Sequence, residues 1–169
     1  MDSDKLSDEL WNELMKNINV SRKGRGYVID RVVQMEILLD QLICAFFTND
    51  KDKNSKFYNR ILNKEFFTLH QKIKVFSELE LHKHEKFNGR FSGFTGLLHE
   101  ANAIRNIVAH QEEDPYTPGF NVTIKNIKKK VQLNDDFLNE FESFMQEIYR
   151  SLFEIMYESG LTLMKDFGK

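Results

Sequence analysis

Hydrophobic positions recur at helical spacing along most of the chain. From Tyr27 to Phe47, the residues Val28, Val32, Met35, Leu39, Leu42 and Phe46 alternate gaps of four and three, and Ile29, Val33, Ile37 and Ile43 make much of the remaining circumference apolar. A helix apolar on so many sides is buried on more than one of them, which predicts the central helix of the fold. A shorter helix is expected before it, capped by Ser3 or Ser7 and running to about Lys16, with Leu6, Leu10, Trp11 and Leu14 inward. The stretch SRKGRG at 21–26 reads as a basic joint between the two, either a solvated loop or one that touches phosphate. After a polar turn, the run from about Phe57 to Glu80 predicts one or two scaffold helices with Phe66, Leu69, Ile73 and Phe76 inward. Asn134 or Asp135 caps a last long helix striped by Phe137, Phe141, Phe144, Ile148, Leu152 and Ile155, and the tail after Gly160 reads as a frayed extension. Only the segment near 119–133 alternates, with Phe120, Val122 and Ile124 against polar neighbours, followed by Val131 and Leu133. The expected fold is all-α, an up-and-down bundle of four to five main helices with a small β-hairpin near 119–133.

Composition narrows the class. A chain of 169 residues suits one domain, 1–169, with a single sizeable core. The net charge of -2 predicts no strong nonspecific pull toward nucleic acid, so any RNA site must be local. The lone Cys44 lies in an apolar run, as expected of a small core residue in a reducing compartment. No stretch is long and apolar enough to span a bilayer, and the acidic start MDSDKLSDEL lacks the features of a signal peptide, so the expected location is cytoplasmic, away from membranes. His82, His84 and Glu85 are too poorly spaced to chelate from one helix face and read as a surface loop, so no metal site and no cofactor are expected.

The stretch with the most chemistry runs from Gly96 to His110. It follows a segment broken by Gly89, Gly93 and Gly96, and Asp114 before Pro115 ends helical geometry soon after it. Leu97, Ala101, Ile104 and Val108 form one apolar stripe, while His99, Asn102, Asn106 and His110 occupy about 80° of arc on the other side. Arg105 lies between the faces on a side chain long enough to reach either. Small and polar residues at 99, 103, 106 and 110 predict a seam that meets another element or a second copy of the chain.

Within this helix, RNIVAH at 105–110 resembles the Arg-polar-xxx-His signature of the HEPN superfamily of small helical RNases, and the alanine before the histidine fits as well. RVVQMEILLDQLICAFF at 31–47 is similar to the long helix that precedes the signature helix there. The resemblance implies a homodimer whose signature helices line one cleft, with Arg105 and His110 as the catalytic pair and Asn106 supporting them. It further implies metal-independent endonucleolytic cleavage of RNA, in a toxin or antiphage-defence role restrained by an antitoxin or a defence-complex protein.

The residues themselves suit that chemistry. Internal attack by a 2′-hydroxyl needs a base, an acid for the departing 5′-oxygen and a cation for the phosphorane charge; His titrates near operating pH and Arg offers a fixed fork to phosphate. Asn106 and His110 share a face, but Arg105 lies about 140° from His110, so one isolated helix presents the pair poorly and two facing copies would present it better. Glu36 and Asp40 are one turn apart; they serve either to pair a core-edge Lys or Arg or to orient a catalytic side chain. Asn102 and the cluster Lys125, Lys128, Lys129 and Lys130 are candidate RNA contacts, the lysines reading equally as a solvated hairpin tip.

Other readings stand beside these. An Arg and a His near a helix C-terminus can simply satisfy terminal carbonyls and favour the dipole. The sequence also departs from the subgroup whose signature continues with a tyrosine two positions after the histidine, because Glu112 stands there, which argues against regulation by nucleotide transfer onto that tyrosine. A non-enzymatic helical binding module of mannitol-repressor type resembles the same fold and is the alternative function.

Overall fold

The structure, a computed structural model, describes residues 3–111 and 119–161. Helix α1 spans Ser3–Phe47, α2 Lys51–Phe57, α3 Leu69–Glu78, α4 Phe94–His110 and α5 Asp135–Glu158, with strands β1 Phe120–Ile124 and β2 Ile127–Val131 between the last two helices. One π-turn follows α2 and two short 3-10 turns precede α4. The architecture is the expected helical bundle with one small antiparallel hairpin.

The two N-terminal helices expected from the sequence are one helix of 45 residues, and SRKGRG lies inside it. Gly24 is buried because α1 crosses the end of the hairpin there: a methyl group built on it would sit 2.6 Å from the Leu133 Cβ. A residue that reads as a breaker is thus the point of closest packing, and burial outweighs the cost of about 1 kcal/mol for a glycine in a helix. The buried face proposed for Leu6, Leu10, Trp11 and Leu14 lies outside the described side chains, as do the exit at Asp114–Pro115 and most of the tail after Gly160.

Val28, Val32, Met35, Leu39, Leu42 and Ile43 form the α1 share of the core, which α4, α5 and α3 close around. The central role of α1 is as expected, but its burial is one-sided near the middle: Val33 and Ile37 are exposed, and so is Phe46. Opposite stand Phe137, Phe141, Phe144, Ile148, Leu152 and Ile155 of α5, all buried. Asn134 caps α5 by accepting from the Phe137 N–H at 3.1 Å, and Thr68 caps α3 with a reciprocal bond to Gln71. Phe66 precedes that cap and is 68% exposed, against the inward position expected of it; the inward stripe starts at Leu69, where the helix itself begins.

His82 also departs from the surface-loop reading. It is 6% exposed and stacks on the core ring of Phe76 at 5.5 Å between centroids, while His84 stays at the surface. Burial holds the His82 imidazole below the ordinary histidine range, which favours its neutral form against the phenyl ring.

The hairpin pairs Phe120 with Val131 through Ile124 with Ile127. Lys125 and Asn126 make its two-residue turn with φ of 49° and 64°, both left-handed, as a tight twist-matched hairpin requires. Phe120, Val122 and Ile124 face the core against α4, and the turn is held by Glu100 of α4, whose carboxylate accepts from the backbone N–H groups of Lys125 and Asn126 at 2.8 and 2.9 Å. The hairpin is therefore anchored along one flank of α4. No helix among the described residues is long and apolar enough to cross a membrane.

Candidate functional site

Helix α4 begins two residues earlier than the chemistry suggests, at Phe94, with Gly93 at φ 80° supplying the left-handed entry and Gly96 inside the helix. Phe94, Leu98, Ala101, Ile104 and Val108 are its buried face; Leu98 takes the core position expected of Leu97, which is half-buried. On the far side Gly96, His99, Ala103, Asn106 and His110 are all exposed, and they form an unbroken stripe at helical spacing. The seam inferred from the sequence is a real surface, left open by the rest of the described chain.

Arg105 resolves its ambiguity toward that surface. It is half-buried, and its Nη1 donates to the Asn106 Oδ1 at 2.9 Å, which turns the guanidinium toward the exposed stripe. Asn106 therefore orients the arginine, and His110 lies one turn farther along the same face.

The helix C-terminus is satisfied by another residue. Arg25 of α1 donates from Nη1 to the Val108 carbonyl at 2.5 Å and from Nη2 to the Gln111 carbonyl at 3.1 Å, and its guanidinium covers the Phe120 ring at 4.8 Å. The capping role that could explain an Arg or His at this end is filled by Arg25, from the stretch expected to be a loop. His110 has no hydrogen-bond or ion-pair partner among the described residues.

At the other end of the stripe, His99 of α4 and His70 of α3 are both exposed, with ring centroids 5.1 Å apart. Partial burial, and next the charge of His70, hold the His99 imidazole below the ordinary histidine range. Sequence reading gave no sign of this pair, because 29 positions separate its members. Asn102 is half-buried beside the stripe.

Glu36 and Asp40 belong to a different place. Lys72 of α3 reaches both, with Nζ 2.6 Å from Glu36 and 2.8 Å from Asp40. Burial pushes the Asp40 carboxyl up to about 7 in spite of the lysine, and lifts Cys44, one turn on, to about 12. Burial alone would lower Lys72, but its hydrogen bonds to the two carboxylates raise it on balance. The three side chains tie α1 to α3, the pairing use foreseen for the acidic residues.

The hairpin lysines divide. Lys125 pairs with Glu147 at 2.7 Å, and Lys129, on the inner side opposite Val122, pairs with Glu140. Lys128 and Lys130 point from the outer side of the strand and are exposed, without an ion pair among the described residues. The basic cluster is thus half committed to α5.

A cleft of about 470 Å³ opens between the start of α4, the hairpin turn and α5, but no residue from 98 to 110 lines it. Its charges largely cancel, since Glu154 pairs with Arg90 and Glu147 with Lys125. This cleft and the exposed stripe of α4 are therefore separate, and a partner facing the stripe would be needed to build a cleft around it from the described residues. Among the described residues no three His, Cys, Asp or Glu side chains gather in a way that could hold a metal ion. No family model, no curated protein and no solved structure matches this chain.

Proposed function

We propose that this protein is a metal-independent endoribonuclease of HEPN type that works as a homodimer through the exposed face of α4. His110 takes part in proton transfer, Arg105 stabilises charge on the phosphorane, and Asn106 positions Arg105. The observation that carries this reading is the placement of Asn106 and His110 on one open stripe, with Arg105 bonded to Asn106 at its edge, while Arg25 fills the structural role a terminal histidine would otherwise serve. The role is that of a toxin or an antiphage-defence effector in the cytoplasm, restrained by a partner protein.

One observation favours the alternative, a non-catalytic helical binding module of mannitol-repressor type. Two of the four hairpin lysines are already paired inside the chain, so the hairpin offers RNA only Lys128 and Lys130, on a chain whose net charge is -2. Incubating the purified protein, freed of any partner, with RNA separates the two. The enzyme reading requires fragments ending in a 2′,3′-cyclic phosphate and a 5′-hydroxyl, formed in the presence of chelator, with DNA or 2′-O-methylated RNA left whole. Intact RNA after that treatment would leave the binding module standing.

A further inference from the structure

The exposed stripe of α4 reads the same in both directions. His99, Ala103, Asn106 and His110 are separated by four, three and four positions, so a two-fold axis crossing the helix between residues 104 and 105 exchanges 99 with 110 and 103 with 106. Two antiparallel copies of α4 set face to face about that axis would put Ala103 against the partner's Asn106, a small residue against a short polar one. Helices that meet on such residues approach to about 8–10 Å between axes. The same operation brings His110 of one copy opposite His99 of the other, where His70 already stands 5.1 Å away. Both Arg105 side chains then flank the axis.

We infer that the second proton-transfer residue of the proposed ribonuclease is His99, contributed by the partner copy across an antiparallel α4 pair. This rests on the ribonuclease reading and completes its site, since the antiparallel pairing leaves a single His110 at each end and cleavage needs both a base and an acid. The neutral imidazole of the partner's His99 accepts the proton of the 2′-hydroxyl as the 2′-oxygen bonds to phosphorus. The bond from phosphorus to the 5′-oxygen breaks, and the His110 imidazolium gives its proton to that oxygen, leaving a cyclic phosphate and a free 5′-hydroxyl. Exchange with water resets both rings. Partial burial and the neighbouring His70 favour the neutral form of His99, which suits it to the role of base.

The decisive experiment mixes two variants of the full chain. His99→Ala and His110→Ala should each lose about 10²- to 10⁴-fold in RNA cleavage, with the acidic limb of the pH–rate profile lost in His99→Ala. Mixed, unfolded and refolded together, they form heterodimers with one doubly defective and one intact histidine pair, so activity should return to about a quarter of wild type. No recovery on mixing, or full activity of His99→Ala, would overturn the proposal while wild-type cleavage still upheld the ribonuclease reading. If chelator abolished activity, the three histidines would be acting on a metal, and the proton-transfer role would fall. Geometry has its own readout: Ala103→Cys and Asn106→Cys chains should cross-link to each other on oxidation, and neither to itself. Should the wild type cut no RNA, the role of His99 falls with the enzyme reading, and the cross-link alone decides the pairing.

Discussion

Lys72 and His110 are both ionisable residues on bundle helices, yet their surroundings are opposite. Lys72 is 4% exposed and spends its charge on Glu36 and Asp40, whereas His110 is exposed and, among the described residues, bonds to nothing. A buried charge is retained only when its partners are close, so removing one partner damages the fold. An unpaired titratable residue on a regular surface stripe contributes little to the packing of the described residues, which leaves its presence to be explained by something beyond them. The difference divides the candidate residues into those consumed by folding and those free to act on a ligand or a second copy.

The sharpest way to break this division is to replace the exposed set. Arg105→Ala and His110→Ala should each reduce RNA cleavage by about 10²- to 10⁴-fold. Their unfolding free energies, measured in urea, should stay within about 0.5 kcal/mol of wild type, as expected of surface positions. A large stability loss in His110→Ala would mean that the histidine is structural, and the two regions would no longer differ in kind.

Lys72→Met tests the other side. It leaves two carboxylates facing each other beneath α3 with no cation, and should cost about 3–5 kcal/mol, read as a shift of the urea midpoint. Activity per folded molecule should change little. A stable Lys72→Met with impaired cleavage would reverse the assignment and bring Glu36 and Asp40 back as orienting groups.

The ion-pair cluster also carries a pH signature. Asp40 titrates near 7 in the folded chain, above an ordinary aspartate at about 4, so between those values the folded state holds a proton the unfolded state has released. The stabilisation this provides is present below the unfolded value and is lost as pH rises through 7. His82 and His99, held below the ordinary histidine range, work in the other direction and lose stability as pH falls. Comparing wild type with Asp40→Asn isolates the first effect: the wild type should lose about 1–2 kcal/mol relative to the variant between pH 5 and 8. Parallel curves would show that Asp40 stays ionised throughout.

How much of this was legible beforehand follows from what periodicity can encode. The stripes of α1, α4 and α5 and the open face of α4 depend only on residue spacing, and the sequence showed them. The direction of Arg105 did not show, because a long side chain beginning between two faces is placed by its neighbour, here Asn106. Arg25 as the cap of α4, Lys72 as the partner of Glu36 and Asp40, and His70 beside His99 all join distant positions, which no local pattern reveals. Glu100 was invisible as a turn anchor because a Lys-Asn turn lacks the glycine that usually announces left-handed geometry. Phe66 and His82 misled in opposite ways, since hydrophobicity and charge state only bias burial, and a cap or an aromatic neighbour can override either.

The smallest expected effects come from two glycines in one turn of α1, where the contrast between inward and outward positions recurs with no charge involved. Both belong to SRKGRG, and both read as breakers. A methyl on Gly24 would meet the Leu133 Cβ at 2.6 Å and its carbonyl oxygen at 3.0 Å, and neither atom is the free end of a flexible side chain; a methyl on Gly26 would meet nothing within 4 Å. Alanine at either site gains about 1 kcal/mol of helix propensity. At position 24 that gain is opposed by overpacking of about 1–3 kcal/mol, because α1 and the segment after β2 must separate. Gly24→Ala should therefore be neutral to destabilising by about 2 kcal/mol, and Gly26→Ala stabilising by about 0.5–1 kcal/mol, both read from thermal or urea unfolding. Equal stabilisation of both variants would mean that the helix does not approach Leu133 closely. It would also question the placement of Arg25 between them, and with it the argument that His110 is free of a capping role.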